Sequence, residues 1–238
     1  RGRLRGALPR KPEGSVATDV TLLLYAVAAL LAVSVLAIVI GRSAAATRMI
    51  YGATLAVSSV TAVILASHLL SSPDVGSKIV LPLGLPWIGT GFRLDSLSAL
   101  FLLVVNFGGA SASLYGLGYG RHDEAPHRVL PFFAAFLAGM NLVVLADDAF
   151  TFLLSWEFMS LASWALVVSH HHSADSRRAG YVYLVMASFG TLALLLAFGL
   201  LAGPAGGYAF DTIRETVHTP LAVAIVFILM LLGAAIAL

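Results

Sequence analysis

The chain has 238 residues, of which 59% are hydrophobic and 11% charged, and its mean hydropathy is +0.94. Because soluble domains carry about 25% charged residues, this composition excludes an ordinary water-soluble protein and indicates an integral membrane protein. The net charge is only +2 and there is no cysteine, which excludes disulfides, all-cysteine iron–sulfur clusters and thiolate zinc sites within these residues.

Much of the positive charge lies in an N-terminal tail, residues 1–18. Its basic residues are Arg1, Arg3, Arg5, Arg10 and Lys11. The tail is more simply a juxtamembrane or disordered segment than a nucleic-acid site, so we expect a lipid bilayer and no nucleic acid as partner. The apolar run that follows is longer than the roughly 7–15 residues of a signal-peptide core. This length favours a retained span over a cleaved signal.

Seven apolar runs have, or nearly have, the roughly 20 residues that a membrane span requires. All are expected to be helices, because lipid offers no hydrogen-bond partner to an exposed backbone. The fourth and fifth are separated only by Asp147 and Asp148, one of which should cap the fifth helix. The predicted spans are Val20–Ile40, Met49–Leu70, Ser96–Gly116, Val129–Ala146, Ala149–Val168, Gly180–Ala202 and Thr219–Leu238.

The segment between the second and third runs, Ile79–Phe92, is not expected to be helical. Pro82, Pro86 and several glycines oppose a helix, and apolar residues alternate along the segment. This pattern predicts a short hairpin lying against the protein. Asp95 follows at the start of the third run, where we expect it to be the helix N-cap.

The distribution of Lys and Arg predicts the orientation in the membrane. With the tail set aside, an inside N-terminus leaves three basic residues on the cytoplasmic side, whereas the opposite orientation places six arginines there. The positive-inside rule then favours an N-terminus outside the cytoplasm. The arginines predicted to be cytoplasmic are Arg42, Arg48, Arg121, Arg128, Arg177 and Arg178.

Glu157 lies near the middle of the fifth run and is the only formally charged side chain inside any of these runs. A charge at the bilayer centre costs roughly 2.5–3.5 kcal/mol on insertion scales, so such a residue usually faces the protein interior or a hydrated path. Ser160, Leu161 and Trp164 share its helical face. The pattern predicts a proton-transfer group. A protonated glutamic acid that only hydrogen-bonds between helices is the alternative.

Three consecutive histidines, His170–His172, follow the fifth run and raise the question of a metal site. Consecutive residues on a helix do not converge on one point, so a solvated interfacial loop is favoured over a metal site or a proton entry. The sequence has no phosphate loop, dinucleotide fingerprint or pair of histidines suited to haem. We therefore expect neither a metal nor a cofactor in this chain.

Other polar and small residues inside the runs indicate helix packing. Asn106 and Asn141 are uncharged polar residues in the third and fourth runs, and we expect them to be interhelical hydrogen-bond partners. Gly116 and Gly120 have a helix-packing spacing, but they lie at the end of the third run. For this pair, helix termination is the favoured interpretation.

The most specific motifs are Phe92–Ser98 (FRLDSLS) and the SWEFMSLASWAL core within Asp148–Val168. Together they resemble the antiporter-like proton-conducting subunits of complex I and its relatives. The stretch Ser155–Thr191 combines SWEFMSL with a histidine-rich loop and RRAGYVYLVMAS. It is most similar to the branch of the family that contains the hydrogenase-4 and formate hydrogenlyase membrane subunits.

The resemblance implies an all-α polytopic fold of about 14 transmembrane helices, built on inverted repeats. This chain, with about seven transmembrane helices, would be the first half of that fold. Residues 19–146 would be the first four helices with the hairpin, and residues 147–238 the start of the proton-conducting transporter domain. Because the chain ends inside its seventh apolar run, we expect it to be part of a longer protein.

The resemblance also implies the functional residues. The family's key glutamate on the fifth helix falls on Glu157, and its partner lysine on a broken seventh helix is expected just beyond Leu238. Some quinone-reductase members carry an arginine and an aspartate in the sixth helix, where this chain reads LVMAS. The residues assigned to support Glu157 are Ser160, Trp164, Asp148 and the nearest basic candidates, Arg177 and Arg178.

The leading functional hypothesis is a non-redox, proton-translocating subunit of a hydrogenase-4, formate hydrogenlyase or NADH–quinone oxidoreductase type of complex. It would lie in the inner (plasma) membrane with other membrane-arm subunits and a peripheral redox module, through which the electrons would run. The alternatives are a subunit of a multisubunit cation/proton antiporter and a membrane scaffold in which the glutamate is structural.

Overall fold

A computed structural model gives the architecture of most of the chain. The residues that it describes are 13–43, 45–71, 76–85, 89–120, 125–170, 173–204 and 206–237. The helices are α1 (Glu13–Ile40), α2 (Ala46–Ser71), α3 (Ser96–Tyr119), α4 (Leu130–Leu145), α5 (Ala149–Val167), α6 (Ala174–Ala202), α7 (Phe210–Glu215) and α8 (Pro220–Ala237). Two strands, β1 (Ser77–Leu85) and β2 (Gly89–Leu94), lie between α2 and α3.

Six helices within the described residues are long and apolar enough to cross a membrane. They are Asp19–Ile40, Ala46–Ser71, Ser96–Tyr119, Pro126–Leu145, Ala149–Val167 and Ala174–Ala202. The seventh predicted span is present as a shorter apolar helix, Pro220–Ala235. The prediction of a helical, polytopic membrane protein is confirmed, with the β-hairpin as its one non-helical element among these residues.

The β-hairpin occupies the segment in which Pro and Gly oppose a helix. Its strands pair antiparallel, with Ser77 opposite Leu94 and Ile79 opposite Phe92, and the register shifts between Leu81 and Leu85. An apolar core beneath it combines buried residues of α1, α2, β2, α3 and α4. They are Val20, Leu23, Leu65, Phe92, Leu94, Ala99, Leu102 and Leu145. The hairpin is therefore packed into the helix bundle, as the sequence predicts.

The short connection between α4 and α5 pairs with backbone on both of its sides. The Asp147 N–H donates to the Gly91 carbonyl at 3.0 Å, and the Ala149 N–H donates to the Tyr208 carbonyl at 3.0 Å. A Cβ atom on Gly91 would lie 3.1 Å from Asp148 Oδ2, so only glycine permits this approach without a shift. The start of α5 is thus held between β2 and the segment that precedes α7.

Both acidic N-caps occur where the sequence places them. Asp95 accepts a 2.8 Å hydrogen bond from the Ser98 N–H, and the Ser98 hydroxyl accepts one from the Asp95 N–H, which completes a capping box. Of the two candidates before α5, Asp148 is the cap, and it accepts a 2.7 Å hydrogen bond from the Thr151 N–H.

Gly116 and Gly120 do more than end α3. The Gly120 N–H donates to the Gly116 carbonyl at the C-cap, so the expected termination is present. However, a Cβ on Gly116 would lie 2.7 Å from the Tyr51 ring, and one on Gly120 would lie 2.8 Å from it. The interpretation of these glycines as termination alone is wrong, because both also let the aromatic ring of α2 pack against α3.

Candidate functional site

Glu157 lies in the middle of α5 and is half-buried. It is nine residues beyond the Asp148 cap, which places it about 13 Å along the helix axis from that end. Within the described part of the chain, its carboxylate makes neither an ion pair nor a hydrogen bond. The structure therefore has a membrane-depth carboxylate whose partner does not come from the described residues of α1–α8.

The approach of α4 to Glu157 depends on a glycine. A Cβ on Gly139 of α4 would lie 2.9 Å from the Met159 Cα, closer than real Cβ contacts. Met159 is two residues beyond Glu157, so the backbones of α4 and α5 meet within one helical turn of the carboxylate. The absence of a side chain at position 139 thus sets how close α4 lies to the site.

The residues predicted to share the face of Glu157 are all within α5, so their spacing on one helical face holds. Ser160 is buried, whereas Leu161 is exposed on the outer surface of the described chain. The described residues contain no hydrogen bond between Ser160 and Glu157. Ser160 lines the helix beside the carboxylate without being bound to it.

An aromatic cluster on the other side of α5 was not predicted from the sequence. Phe152 stacks on Trp156, with ring centroids 5.6 Å apart, and contacts Phe198 of α6 and Phe210 of α7 edge-on. The Trp156 indole N–H is buried and has no acceptor among the described residues. This cluster joins α5, α6 and α7, and its Trp156 is the residue directly before Glu157.

Two of the predicted supporting residues, Trp164 and Arg177, come together although they lie on different helices. They line one cleft where the end of α5 meets the beginning of α6. Arg178 does not line this cleft. The helices are closely packed beside it, since a Cβ on Gly180 would overlap Val168.

Asp148 is more than a helix cap. Its Oδ2 atom accepts hydrogen bonds from the Gly91 N–H at 2.9 Å and from the Thr151 hydroxyl at 2.6 Å. The side chain is almost fully buried, at 2% exposure, so these donors replace the water that a carboxylate would otherwise bind. Asp148 therefore fixes the start of α5, and with it the depth of Glu157, to the hairpin.

The neighbouring Asp147 belongs to an ionic cluster that sequence analysis missed. Its carboxylate is 1% exposed and lies 2.5 Å from Lys78 Nζ and 3.3 Å from Arg93 Nε. Neither contact has hydrogen-bond geometry, and neither Asp147 oxygen has a hydrogen bond from the described residues. These contacts are ion pairs, and a buried charge of this kind depends strongly on its partners.

Asp211 of α7 links the same two basic residues to the segment before α8. It lies 3.3 Å from both Lys78 and Arg93, and 2.9 Å from Arg214 within its own helix. The contact with Asp147 raises the pKa of Lys78, against the opposing effect of burial, and Asp211 adds to the rise. Lys78 in turn holds the pKa of Asp211 below its usual value.

The predicted contact between Asn106 and Asn141 is confirmed. The Asn106 amide donates a 2.7 Å hydrogen bond to the Asn141 side-chain oxygen, and each amide also donates to a carbonyl of its own helix. Both side chains are buried, at 1% and 3% exposure. The pair joins α3 to α4 within the bundle.

The predicted histidine loop lies mostly outside the described residues. His171 and His172 belong to that part, and nothing is described of the His170 side chain. Among the described residues, no group of three or more His, Asp or Glu side chains could hold a metal ion.

The fold and the site together define a polytopic membrane protein with one carboxylate at the middle of a span. Two family profiles match this chain. The family described as NADH-Ubiquinone oxidoreductase (complex I), chain 5 N-terminus matches residues 82–129. The family described as NADH:quinone oxidoreductase/Mrp antiporter, TM matches residues 146–238, which include Glu157.

Curated relatives agree with these families. Hydrogenase-4 component B of Escherichia coli (strain K12) is 34% identical over 143 residues, which are 59% of this chain and 21% of that protein. The putative antiporter subunit mnhA2 of Staphylococcus aureus (strain MRSA252) is 31% identical over 152 residues, 60% of this chain and 19% of that protein. The chain thus spans about a fifth of the length of these relatives.

Two solved structures have the same fold. The Mrp complex from Dietzia sp. DQ12-45-1b matches with a TM-score of 0.73 at 21% identity, over 90% of this chain and 23% of that chain. An archaeal respiratory membrane complex, the membrane-bound sulfane sulfur reductase, matches with a TM-score of 0.71 at 22% identity, over 92% of this chain and 34% of that chain. Residues 82–129 and 146–238 are thus similar to antiporter-like membrane subunits of the complex I superfamily, and the two solved structures share the fold of the chain.

Proposed function

We propose that the chain carries one proton-conducting half-channel of a hydrogenase-4 or complex I type of assembly, with Glu157 as the group that accepts and releases the proton. The supporting observation is the half-buried carboxylate in the middle of α5, which has no ion pair among the described residues. An intramembrane carboxyl group of this kind is expensive to retain, and such groups commonly mark proton paths.

The other residues of the proposal have different parts. Asp148 positions α5 through its hydrogen bond from Gly91 of β2 and its cap of Thr151, while Ser160 and Trp164 border the carboxylate on its own helix. A lysine in the continuation of α8, just after Leu238, would supply the positive charge that stabilises ionised Glu157. This stabilisation would be lost when Glu157 takes up the proton. Arg177 and Arg178 lie near the beginning of α6, where it meets the end of α5. They would act on protons or anions only at the membrane surface.

The proposed assembly has other membrane-arm subunits and a peripheral redox module, and it lies in the inner (plasma) membrane. Support for the hydrogenase branch is the 34% identity to hydrogenase-4 component B. The second candidate, a multisubunit cation/proton antiporter, draws support from the 31% identity to mnhA2 over a similar share of this chain. A redox-driven subunit should translocate protons only during electron transfer, whereas an antiporter should exchange them for sodium without it.

The decisive test is Glu157→Gln in the complete protein, measured as proton uptake by inverted membrane vesicles. Glutamine keeps the size and most of the hydrogen bonding of a protonated glutamic acid, but it does not titrate near neutral pH. We expect normal assembly and a loss of translocation of about a hundredfold or more, the range of effects of proton-transfer groups. Electron transfer and sodium exchange are measured on the same vesicles.

The matched control is Glu215→Gln, which makes the same chemical change at an exposed position at the end of α7. It should leave translocation near the unmodified level. Normal translocation in the Glu157→Gln protein, at normal expression, would instead leave Glu157 with a purely structural role. Equal losses in both variants would indicate a general effect of charge rather than a proton carrier.

A further inference from the structure

The cleft where α5 meets α6 combines charged and apolar side chains in an arrangement that the proton path does not require. Its volume is about 410 Å³, and it lies at the shared end of two membrane-length helices. Its walls come from one face of each helix, because the lining residues recur every three or four positions. They are Trp164 and Val168 at the end of α5, with Arg177, Tyr181 and Leu184 on α6.

The lining of the cleft changes from charged to apolar with depth. Arg177 is near the beginning of α6, Tyr181 is about one turn deeper, and Leu184 lies about 10 Å along the axis from Arg177. On the α5 side, Trp164 is one turn deeper than Val168. A cation and a phenol above an indole and a leucine match the order of a phospholipid, with its phosphate at the interface and its acyl chain below.

Charge and size favour a lipid over other occupants. Arg177 and Arg178 belong to the set of arginines that the positive-inside rule places on the cytoplasmic side, where the leaflet carries anionic lipid. A transmembrane helix is about 10 Å across, so a single turn of it would already fill a cleft of this volume. The cleft is therefore too small to hold a further helix. Beside the cleft, Gly180 lies so close to Val168 that a Cβ there would overlap it, so α5 and α6 are in contact at this level.

We propose that this cleft binds one anionic phospholipid, with its phosphate at the Arg177 guanidinium and an acyl chain between Trp164 and Leu184. The inference does not depend on proton translocation, since none of its contacts involves Glu157. It assigns Arg177 to a lipid site, while its neighbour Arg178 contributes only to the general positive charge at the beginning of α6.

The test uses the complete protein in detergent micelles and phosphatidylglycerol with brominated acyl chains. Bromine quenches nearby indoles, so the difference in quenching between the unmodified protein and Trp164→Phe reports the chain in this cleft. We expect saturable quenching of Trp164 by phosphatidylglycerol and much weaker quenching by phosphatidylcholine with the same chains. Soluble glycerol phosphate, which lacks acyl chains, should not compete at equal concentration.

Two neighbouring arginines provide the matched comparison. Arg177→Gln should weaken phosphatidylglycerol binding about fivefold, the effect of one basic residue near anionic lipid, and Arg177→Lys should recover most of it. Arg178→Gln removes the same charge one residue away and should have a much smaller effect. Leu184→Phe narrows the apolar end without changing charge and should reduce the quenching of Trp164.

Four results would overturn the proposal. Equal weakening by Arg177→Gln and Arg178→Gln would assign the binding to diffuse surface charge. Equal binding of phosphatidylglycerol and phosphatidylcholine would remove the role of the headgroup. Unchanged quenching in Leu184→Phe would show that the acyl chain does not lie between Trp164 and Leu184. No quenching of Trp164 in the unmodified protein would show that another part of the protein or assembly occupies the cleft. Arg177→Lys and Leu184→Phe keep the charge of the protein. If Arg177→Gln folds poorly, these two variants still test the binding of the lipid.

Discussion

The side-chain amide of Asn106 in α3 donates a 2.7 Å hydrogen bond to the side-chain oxygen of Asn141 in α4, and both residues are almost fully buried. Lipid and apolar side chains offer no replacement for this partner. The bond therefore links the first three helices to the helix that packs directly against α5. Its strength bears on how firmly the helices around Glu157 are held.

We expect Asn141→Leu to lower the free energy of unfolding by about 1 kcal/mol, because the buried Asn106 amide loses its partner on α4 and keeps only its bond to the Leu102 carbonyl of its own helix. Asn106→Leu should cost a similar amount. The double variant should cost clearly less than the two single changes together, since neither polar partner then remains. Unfolding in mixed micelles with increasing SDS measures all three. Additive losses would indicate that the two amides do not interact.

Gly139→Val should separate α4 from α5 and reduce proton translocation, because its side chain would overlap the Met159 backbone. Overpacking of this kind costs about 1–3 kcal/mol. Gly108→Val is the matched control, since no atom lies within 4 Å of a Cβ built there. Thermal stability and vesicle proton uptake are measured for both. Equal effects of the two changes would show that helix propensity, and not close packing, is responsible.

Asp148→Ala should destabilise the start of α5 by about 1–2 kcal/mol, because it removes the helix cap and the acceptor for the Gly91 N–H. Asp148→Asn keeps one acceptor oxygen and should lose less. Hydrogen exchange of the Thr151 and Gly91 amides measures the local effect. Similar protection in Asp148→Ala and the unmodified protein would contradict the role of this residue in fixing α5.

The ionic cluster between the hairpin and α7 should persist over a wide range of pH. The pKa of Asp211 lies below its ordinary value of 3.8, so its contribution is complete above that value and is lost as the pH falls further. The pKa of Lys78 lies above its ordinary value of 10.5, so its contribution is complete below that value and is lost as the pH rises further.

Spin labels on cysteines introduced at Val80 and Glu215 measure the distance between the hairpin and α7, and the 238 residues contain no cysteine of their own. The distance distribution should stay narrow from about pH 5 to about pH 10 and broaden beyond either end. Asp211→Asn should broaden it at neutral pH. A transition near pH 6 to 7 would assign the link to a histidine instead.

The orientation remains a prediction with a direct test. Cysteines introduced at Ser43 and Ser173, which are both exposed, should resist an impermeant thiol reagent in intact cells and react after the cells are opened. A cysteine at Val80, in the hairpin, should behave in the opposite way. Labelling of both loop positions from outside would invert the orientation and move the proposed lipid site to the outer leaflet.

Much of this architecture follows from the sequence because its causes are local. Hydropathy and length are sufficient for the spans, since a backbone in lipid must form helices. Pro82 and the neighbouring glycines indicate the hairpin, and Asp95 and Asp148 stand where an N-terminal N–H needs an acceptor. Asn106 and Asn141 were identified as a pair because a buried amide must find a partner. Glu157 stands out because a charge in an apolar run is costly.

The tertiary structure decides which distant segments meet. Lys78 and Asp147 are far apart in sequence, and only the pairing of the α4–α5 connection with β2 and with residues 208–210 brings them into contact. Likewise, the Tyr51 ring gives Gly116 and Gly120 a packing role that their spacing alone does not distinguish from helix termination. The cleft between Trp164 and Arg177 depends on how closely α6 lies against α5. Side-chain type and spacing leave these contacts open, because each is set by the relative position of whole helices.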